Sequence, residues 1–235
     1  MRVTFLGTGT SHGVPMMACD CAVCRSTDPR NQRLRPSILI ETVTTTVLVD
    51  ATPDLRTQAL RVGLRKLDAV VLTHTHADHV LGLDEVRVFT QASGQPMPVF
   101  GAAEALGDVR RIFAYACTDK PRWPSLPCFR LQEVTPGVSF AIGDLQFLPV
   151  VLPHGWVEVL GFVINGSVAY WTDCSAVPPA VVEAARGIPV LIVDGLRHRE
   201  HPTHLTIAQA VAVAQATRAQ RTWLTHVCHE VDHAE

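Results

Sequence analysis

Several features are missing from this 235-residue sequence, and each absence narrows what the chain can be. No apolar run approaches the ~18 residues that a membrane span requires, which argues against a transmembrane class or a membrane partner. The opening residues, Met1-Arg2-Val3-Thr4-Phe5-Leu6, reach glycine at Gly7 and Gly9 without the long apolar segment of a secretory leader, so a soluble, cytoplasmic protein is expected. Charge of one sign is not in surplus. The 20 Lys and Arg stand against 22 Asp and Glu, a formal net charge of -2, which provides no broad basic field for nucleic acid or an anionic membrane. Repeats and low-complexity segments are also lacking.

What is present is a composition for burial: 47% hydrophobic and 18% charged residues. A chain of this length suits one domain over residues 1–235, built around one core. The His count of 11 is high, and 3 of the 7 cysteines fall between Cys19 and Cys24. That clustering suits a reducing compartment and metal ligation better than a disulfide framework.

Val3 to Leu6 reads as a short buried strand, followed by the loop Gly7-Thr8-Gly9-Thr10-Ser11. Ser37 to Glu41 and Thr46 to Asp50 read as a β-hairpin, and Thr52-Pro53-Asp54 as a helix start with Thr52 as its cap. Ala69 to Leu72 is a strand that runs into a histidine cluster, and Leu81 to Val88 is a candidate helix. The proline-rich stretch 91–127, with a candidate helix Ala102 to Phe113, is the least regular region. Strands then follow at Phe129 to Val134, Leu145 to Leu152, Leu160 to Ile164 and Val168 to Trp171, the last two joined by an Asn165-Gly166 turn. A helix over Pro179 to Ala185, a strand over Val190 to Val193, a helix opened by a Thr206/Gln209 capping box and a strand over Thr222 to Thr225 complete the chain. This order implies layered sheets flanked by helices, an α/β class.

The chemistry concentrates in Thr73-His74-Thr75-His76-Ala77-Asp78-His79. In an extended stretch alternate residues share a face, so His74, His76 and Asp78 can point together while a turn swings His79 elsewhere. One segment could thus supply two metals, and the mixture of imidazole and carboxylate suits zinc, manganese or iron. Cys19-Asp20-Cys21-Ala22-Val23-Cys24 is a separate signal: three thiolates this close repel unless a soft cation neutralises them.

The histidine segment resembles the signature of the metallo-β-lactamase superfamily, which implies an αββα sandwich of two mixed sheets with its metals at the sheet edges. The resemblance carries over to His154, Asp173 and His226, each at a strand end and in the family's order. It implies that His74, His76 and His154 hold one metal, that Asp78, His79 and His226 hold the other, and that Asp173 bridges them. Asp50 matches an aspartate that orients ligands. Two such ions can share a hydroxide and clamp an in-line displacement.

The opening Gly7-Thr8-Gly9-Thr10, Gly13-Val14-Pro15 and the cysteine triplet, with the closing Thr225-His226-Val227-Cys228-His229, narrow the resemblance to the phosphoribosyl cyclic phosphodiesterase (PhnP-like) branch. That branch implies a structural zinc on Cys19, Cys21, Cys24 and His229 beside a catalytic pair of manganese or zinc ions. It also implies a histidine that protonates the leaving group, matched by His204, with His198 and His201 as competitors. The implied substrate is a small cyclic phosphodiester, either a phosphoribosyl 1,2-cyclic phosphate or a nucleoside 2′,3′-cyclic phosphate, whose phosphate the Thr8 to Ser11 loop could bind. Alternatives are an RNA 3′ processing nuclease or a lactone or thioester hydrolase of the same fold and, outside enzymes, a zinc-bearing binding module. Near-neutral charge argues against nucleic acid, and a homodimer is left open.

Overall fold

The computed structural model describes residues 1–118 and 125–235, so part of the irregular 91–127 stretch lies outside the described residues. The first sheet consists of β1 (Arg2–Gly7), β2 (Ser37–Glu41), β3 (Thr46–Val49), β4 (Ala69–Val71), β5 (Met97–Gly101) and β6 (Phe129–Glu133), side by side in that order. The second consists of β7 (Phe140–Ile142), β8 (Leu145–His154), β9 (Val157–Ile164), β10 (Val168–Trp171), β11 (Val190–Asp194) and β12 (Arg221–Thr225), also in order. Both begin antiparallel and turn parallel: from β3 to β6 in the first sheet and from β10 to β12 in the second.

Side-chain alternation turns the two sheets into a four-layer sandwich. Ile38, Ile40, Val47 and Val49 face inward and pack against Phe147, Phe162, Tyr170 and Ile192 of the second sheet. Their neighbours Leu39 and Leu48 face outward, under Leu55 of α1 (Leu55–Val62). On the far side Trp171, Leu191 and Val193 meet Val181 of α5 and Ala210 of α6; α5 spans Pro179–Ala184 and α6 spans Ile207–Thr217. Numbering the intervening helices in chain order, α2 is Ala77–Val80, α3 is Arg87–Ser93 and α4 is Ala103–Ile112. No helix among the described residues is long and apolar enough to cross a membrane.

Local signals in the sequence are visible in the turns and caps. Asn165 and Gly166 both adopt left-handed backbone, at φ 48 and 58, as a type I′ hairpin turn requires. Thr206 accepts the Gln209 N–H at 3.1 Å while the Gln209 side chain accepts the Thr206 N–H at 2.8 Å, a complete capping box.

Four expectations need correction. The helix expected over Leu81 to Val88 is instead a 3-10 turn at Leu83–Val86 followed by α3. Gly82 packs so closely on α1's leading loop that a Cβ would sit 1.8 Å from the Thr52 carbonyl oxygen, and its N–H bonds to Ala51 O at 2.8 Å. That contact breaks the helical register. Secondly, α1 starts at Leu55, and the Thr52 hydroxyl sits in the buried approach, accepting from Asp54 N at 3.1 Å. Thirdly, β5 and β7 add strands that the pattern does not signal, because Pro98 interrupts the first and the second is only three residues long. Fourthly, two of the amides expected to face a phosphate from Thr8 to Ser11 are already engaged: Gly9 N–H bonds to Leu34 O and Thr10 N–H to Val227 O.

Candidate metal centre

The parallel strands end at one edge of the sandwich, where Asp50 follows β3, Thr172 and Asp173 follow β10, Asp194 closes β11 and His226 follows β12. β4 runs through buried Leu72 and Thr73 into His74, and the chain stays extended to His76, where ψ is 151. A single helical turn, α2, then carries Asp78 and His79 away from the two histidines. The alternation expected to group Asp78 with His74 and His76 therefore fails, because the chain is already helical at Ala77. His154, closing β8, completes the first set: ligand atoms of His74, His76 and His154 lie within 4.8 Å of one another.

Asp78, His79, Asp173 and His226 form a second set within the same limit. His79 Nε2 lies 3.2 Å from Asp78 Oδ2 and 3.2 Å from Asp173 Oδ2, and His226 Nε2 lies 3.1 Å from Asp173 Oδ1. Asp173 also groups with His154 and His204, so its carboxylate stands between the two sets. Asp50, Asp173 and His226 all have left-handed backbone, with φ of 65, 54 and 59. Such conformations are uncommon for non-glycine residues and persist where the surroundings over-determine them. Here they turn each strand-end side chain into the centre.

A further ring of hydrogen bonds orients these groups. His79 Nδ1 donates to Asp50 Oδ2 at 2.8 Å, and Asp50 in turn accepts from the Thr73 amide and hydroxyl, each at 2.8 Å. His154 Nδ1 donates to Thr203 O at 2.8 Å. With Nδ1 carrying the proton, each Nε2 presents a lone pair. His204 lies over the same centre, its ring stacked on His226 at 4.5 Å and its Nδ1 2.7 Å from Asp194 Oδ2. His201 is 5.1 Å from His204, whereas His198 pairs on the surface with Glu235 at 2.8 Å.

The residues present fit metal ions. Nε2 atoms of His74, His79 and His226 are buried without a hydrogen-bond partner, although carboxylate oxygens approach two of them within 3.2 Å. Donors that converge without bonding one another leave a place for a shared cation. Burial, with His79 nearby, pushes the His74 pKa well down, and burial lowers His154 too, so both imidazoles favour the neutral form that can serve as a ligand. Burial opposes charge on Asp173 and Asp78, yet neighbouring His226 and His79 hold both carboxyls below the usual carboxylate range. Conversely, Asp173 and Asp50 overcome burial and raise His79 well above the ordinary imidazole range. Asp173 and Asp50 thus favour positive charge at this position, carried either by a proton on His79 Nε2 or by a metal ion that takes the proton's place.

The cysteine triplet also finds its fourth member. Cys19, Cys21, Cys24 and His229 bring ligand atoms within 4.8 Å, with His229 Nδ1 3.4 Å from Cys19 Sγ and 3.3 Å from Cys21 Sγ. The His229 contact lowers the Cys21 thiol to about 6, while burial raises Cys24 to about 11. Residues 45–227 match the family described as the Beta-lactamase superfamily domain. The chain belongs to the metallo-β-lactamase superfamily.

Members of this superfamily are metal-dependent hydrolases. The chain is similar to a crystallised diphosphatase from the PhnP family, with 40% identity over 99% of this chain and 88% of that one and a TM-score of 0.91. It is 38% identical over 231 residues to an octanoyltransferase of Porphyromonas gingivalis, covering 97% of this chain but 46% of that protein. A ribonuclease Z of Methanopyrus kandleri is 29% identical over 130 residues, 54% of this chain and 43% of that protein. The chain thus spans less than half the length of these two relatives.

Within the superfamily fold, the structure brings together every residue that the sequence nominated for the two sets, the cysteine site and His204. Asp194 is the residue that the sequence reading missed. It is fully buried at the end of β11, accepting from His204 and from Cys174 N at 3.0 Å. An acid closing the apolar run Val190-Leu191-Ile192-Val193 has the same form as Asp50 and Asp173, so a signal was there to find.

Proposed function

We propose that this protein is a metal-dependent phosphodiesterase that opens small cyclic phosphodiesters. The observation that carries the reading is the assembly of two donor sets around Asp173 with a histidine–aspartate pair, His204 and Asp194, directly above them. His74, His76 and His154 would hold one ion and Asp78, His79 and His226 the other, with Asp173 between them; manganese and zinc both suit these donors. Bound there, such a pair supplies Lewis acidity and a nucleophile active near neutral pH.

The chain's own residues supply the rest. Asp50 and the Thr203 carbonyl hold His79 and His154 in the tautomer that exposes Nε2. Asp194 fixes the His204 ring by its Nδ1–H, leaving Nε2 to deliver a proton to the departing ribose oxygen. An alkoxide is a poor leaving group, so this proton matters most for a sugar ester. Cys19, Cys21, Cys24 and His229 would hold a structural zinc that ties the N-terminal loop to the segment bearing His226.

The likeness to a diphosphatase of the PhnP family supports hydrolysis at phosphorus, and the chain's opening and closing motifs carry the cyclic-phosphodiester reading. The octanoyltransferase name describes a protein more than half of which lies outside the match. Acyl chemistry and RNA processing therefore enter as competing outcomes. The test is a hydrolysis panel on metal-reconstituted protein, with cyclic phosphodiesters, an activated diaryl phosphodiester, lactones, thioesters and precursor transfer RNA. Opening of cyclic phosphodiesters to monoesters, with no further dephosphorylation, is expected. Thioester, lactone or RNA turnover without cyclic phosphodiesterase activity would replace the proposal.

A further inference from the structure

The loop between β11 and α6 carries His198, His201 and His204, and only the last is assigned a step in the chemistry. Two backbone bonds close the base of this loop, Leu196 N–H to Leu205 O and Ile207 N–H to Arg197 O, each at 3.0 Å. Its tip is held differently. His201 Nδ1 receives the Thr203 N–H at 3.3 Å and lies 3.1 Å from the Thr203 hydroxyl. A backbone N–H can only donate, so Nδ1 is the acceptor, the ring proton sits on Nε2 and the hydroxyl donates as well. Burial, with His204, Arg197 and Arg199 nearby, lowers the His201 pKa and favours that neutral ring. His201 joins no group of converging metal donors among the described residues.

Thr203 is thereby fixed from several sides. Its carbonyl accepts the Nδ1–H of His154 at 2.8 Å, and its Cγ2 methyl sits so close to Gly155 that a Cβ there would lie 2.6 Å away. Gly155 directly follows His154, and His204 directly follows Thr203. The two dipeptides are thus docked on one another, with the His154 and His204 rings 4.9 Å apart. Pro202, its φ fixed by the pyrrolidine ring, leaves little freedom between His201 and Thr203. Movement of Thr203 would displace a metal donor and the proton donor together.

We infer that His201 is a positioning residue: its Nδ1 anchors Thr203, and Thr203 sets His154 of the first donor set and His204 in register with each other. The inference rests on the reading of His154 as a metal donor and His204 as the proton donor, and it gives His201 neither role. Loss of the anchor acts in two places. His154 loses the fixed acceptor that aims its Nε2, and His204 loses the neighbour that sets its distance from the ions. Asp194 still holds the His204 ring by its Nδ1–H, so the loss is partial.

The test compares wild type, His201→Ala, His201→Asn and Thr203→Val by kcat on a cyclic ribose phosphate and on an activated aryl phosphodiester. Independently of turnover, manganese affinity is read from the paramagnetic resonance of the free ion, since manganese favours nitrogen and oxygen donors over the thiolate site. His201→Ala should weaken manganese binding about threefold to tenfold, less than the roughly 10–100-fold of losing a direct partner of a ligand. Its kcat should fall about tenfold on the cyclic substrate and less on the aryl ester. Asparagine places an amide oxygen where Nδ1 stands but has no ring to deliver a proton, so His201→Asn should return both quantities to within about twofold of wild type. Thr203→Val keeps the branched shape and the backbone bond, and should show the same losses in smaller measure. Asparagine as damaging as alanine, or a cyclic-substrate loss in both with manganese affinity intact, would make the imidazole itself the acting group and overturn the inference. Wild-type values in His201→Ala would overturn it as well. If the wild type opens no cyclic phosphodiester, the proposed substrate class falls, and the manganese affinities alone still decide the role of His201.

Discussion

Asp194 Oδ2 accepts the Nδ1–H of His204 at 2.7 Å, and this bond fixes which nitrogen of His204 faces the centre. Asp194 is fully buried, and burial raises its carboxyl pKa despite the neighbouring His204. The pair therefore acts as one orienting unit.

His204→Ala should lower turnover on a cyclic ribose phosphate by ~10²–10⁴-fold and only slightly on an activated aryl phosphodiester. A phenolate leaves without a proton, whereas a ribose alkoxide does not. Paired assays with metal analysis check this. Equal loss on both substrates together with metal loss would make His204 a ligand or a structural residue. Asp194→Asn should reproduce the substrate contrast in weaker form, because the ring remains but its orientation is no longer held.

Asp173→Asn should lose activity and at least part of the bound metal, since this carboxylate stands between the donor sets and contacts His79 and His226 at 3.2 and 3.1 Å. Metal content by elemental analysis, read beside turnover, is the check. Wild-type values of both would remove Asp173 from the centre.

Asp50→Asn should weaken metal binding by roughly 10–100-fold while leaving every direct donor in place. An amide can still accept from Thr73, but it no longer presents a full negative charge to His79 Nδ1. Competition with a chelator gives the affinity. An unchanged affinity would reduce Asp50 to a backbone brace for Thr73.

Cys21→Ser should release zinc and lower the melting temperature, because a structural zinc contributes folding free energy directly. The cyclic phosphodiesterase activity that survives at low temperature should retain its substrate preference. Unaltered zinc content and melting temperature would mean that the cysteine cluster holds no metal.

Much of this site is visible in the chain because strand ends announce it. His74 and Asp173 each follow an apolar run that reads as a buried strand, His226 follows the short and largely exposed strand Arg221–Thr225, and the cysteine triplet is a local signal. Grouping was harder to read. Period-two alternation grouped Asp78 with His74 and His76, but helix α2 begins at Ala77 and redirects it, a change that spacing alone does not reveal. Asp194 carries no local signal of its role, because its partner, ten residues away, meets it only after the chain turns back. Likewise Gly82 looked like an ordinary helix residue, and its tight packing on Thr52 exists only in the folded chain.

The most direct measurement is a metal titration of stripped protein, following cyclic phosphodiester hydrolysis and bound metal together. The account predicts about three ions per chain at saturation: one zinc that tracks thermal stability, and two further ions of which both must bind before turnover appears. Full activity with one ion or none, or a cyclic phosphodiester left intact by protein carrying all three, would contradict it.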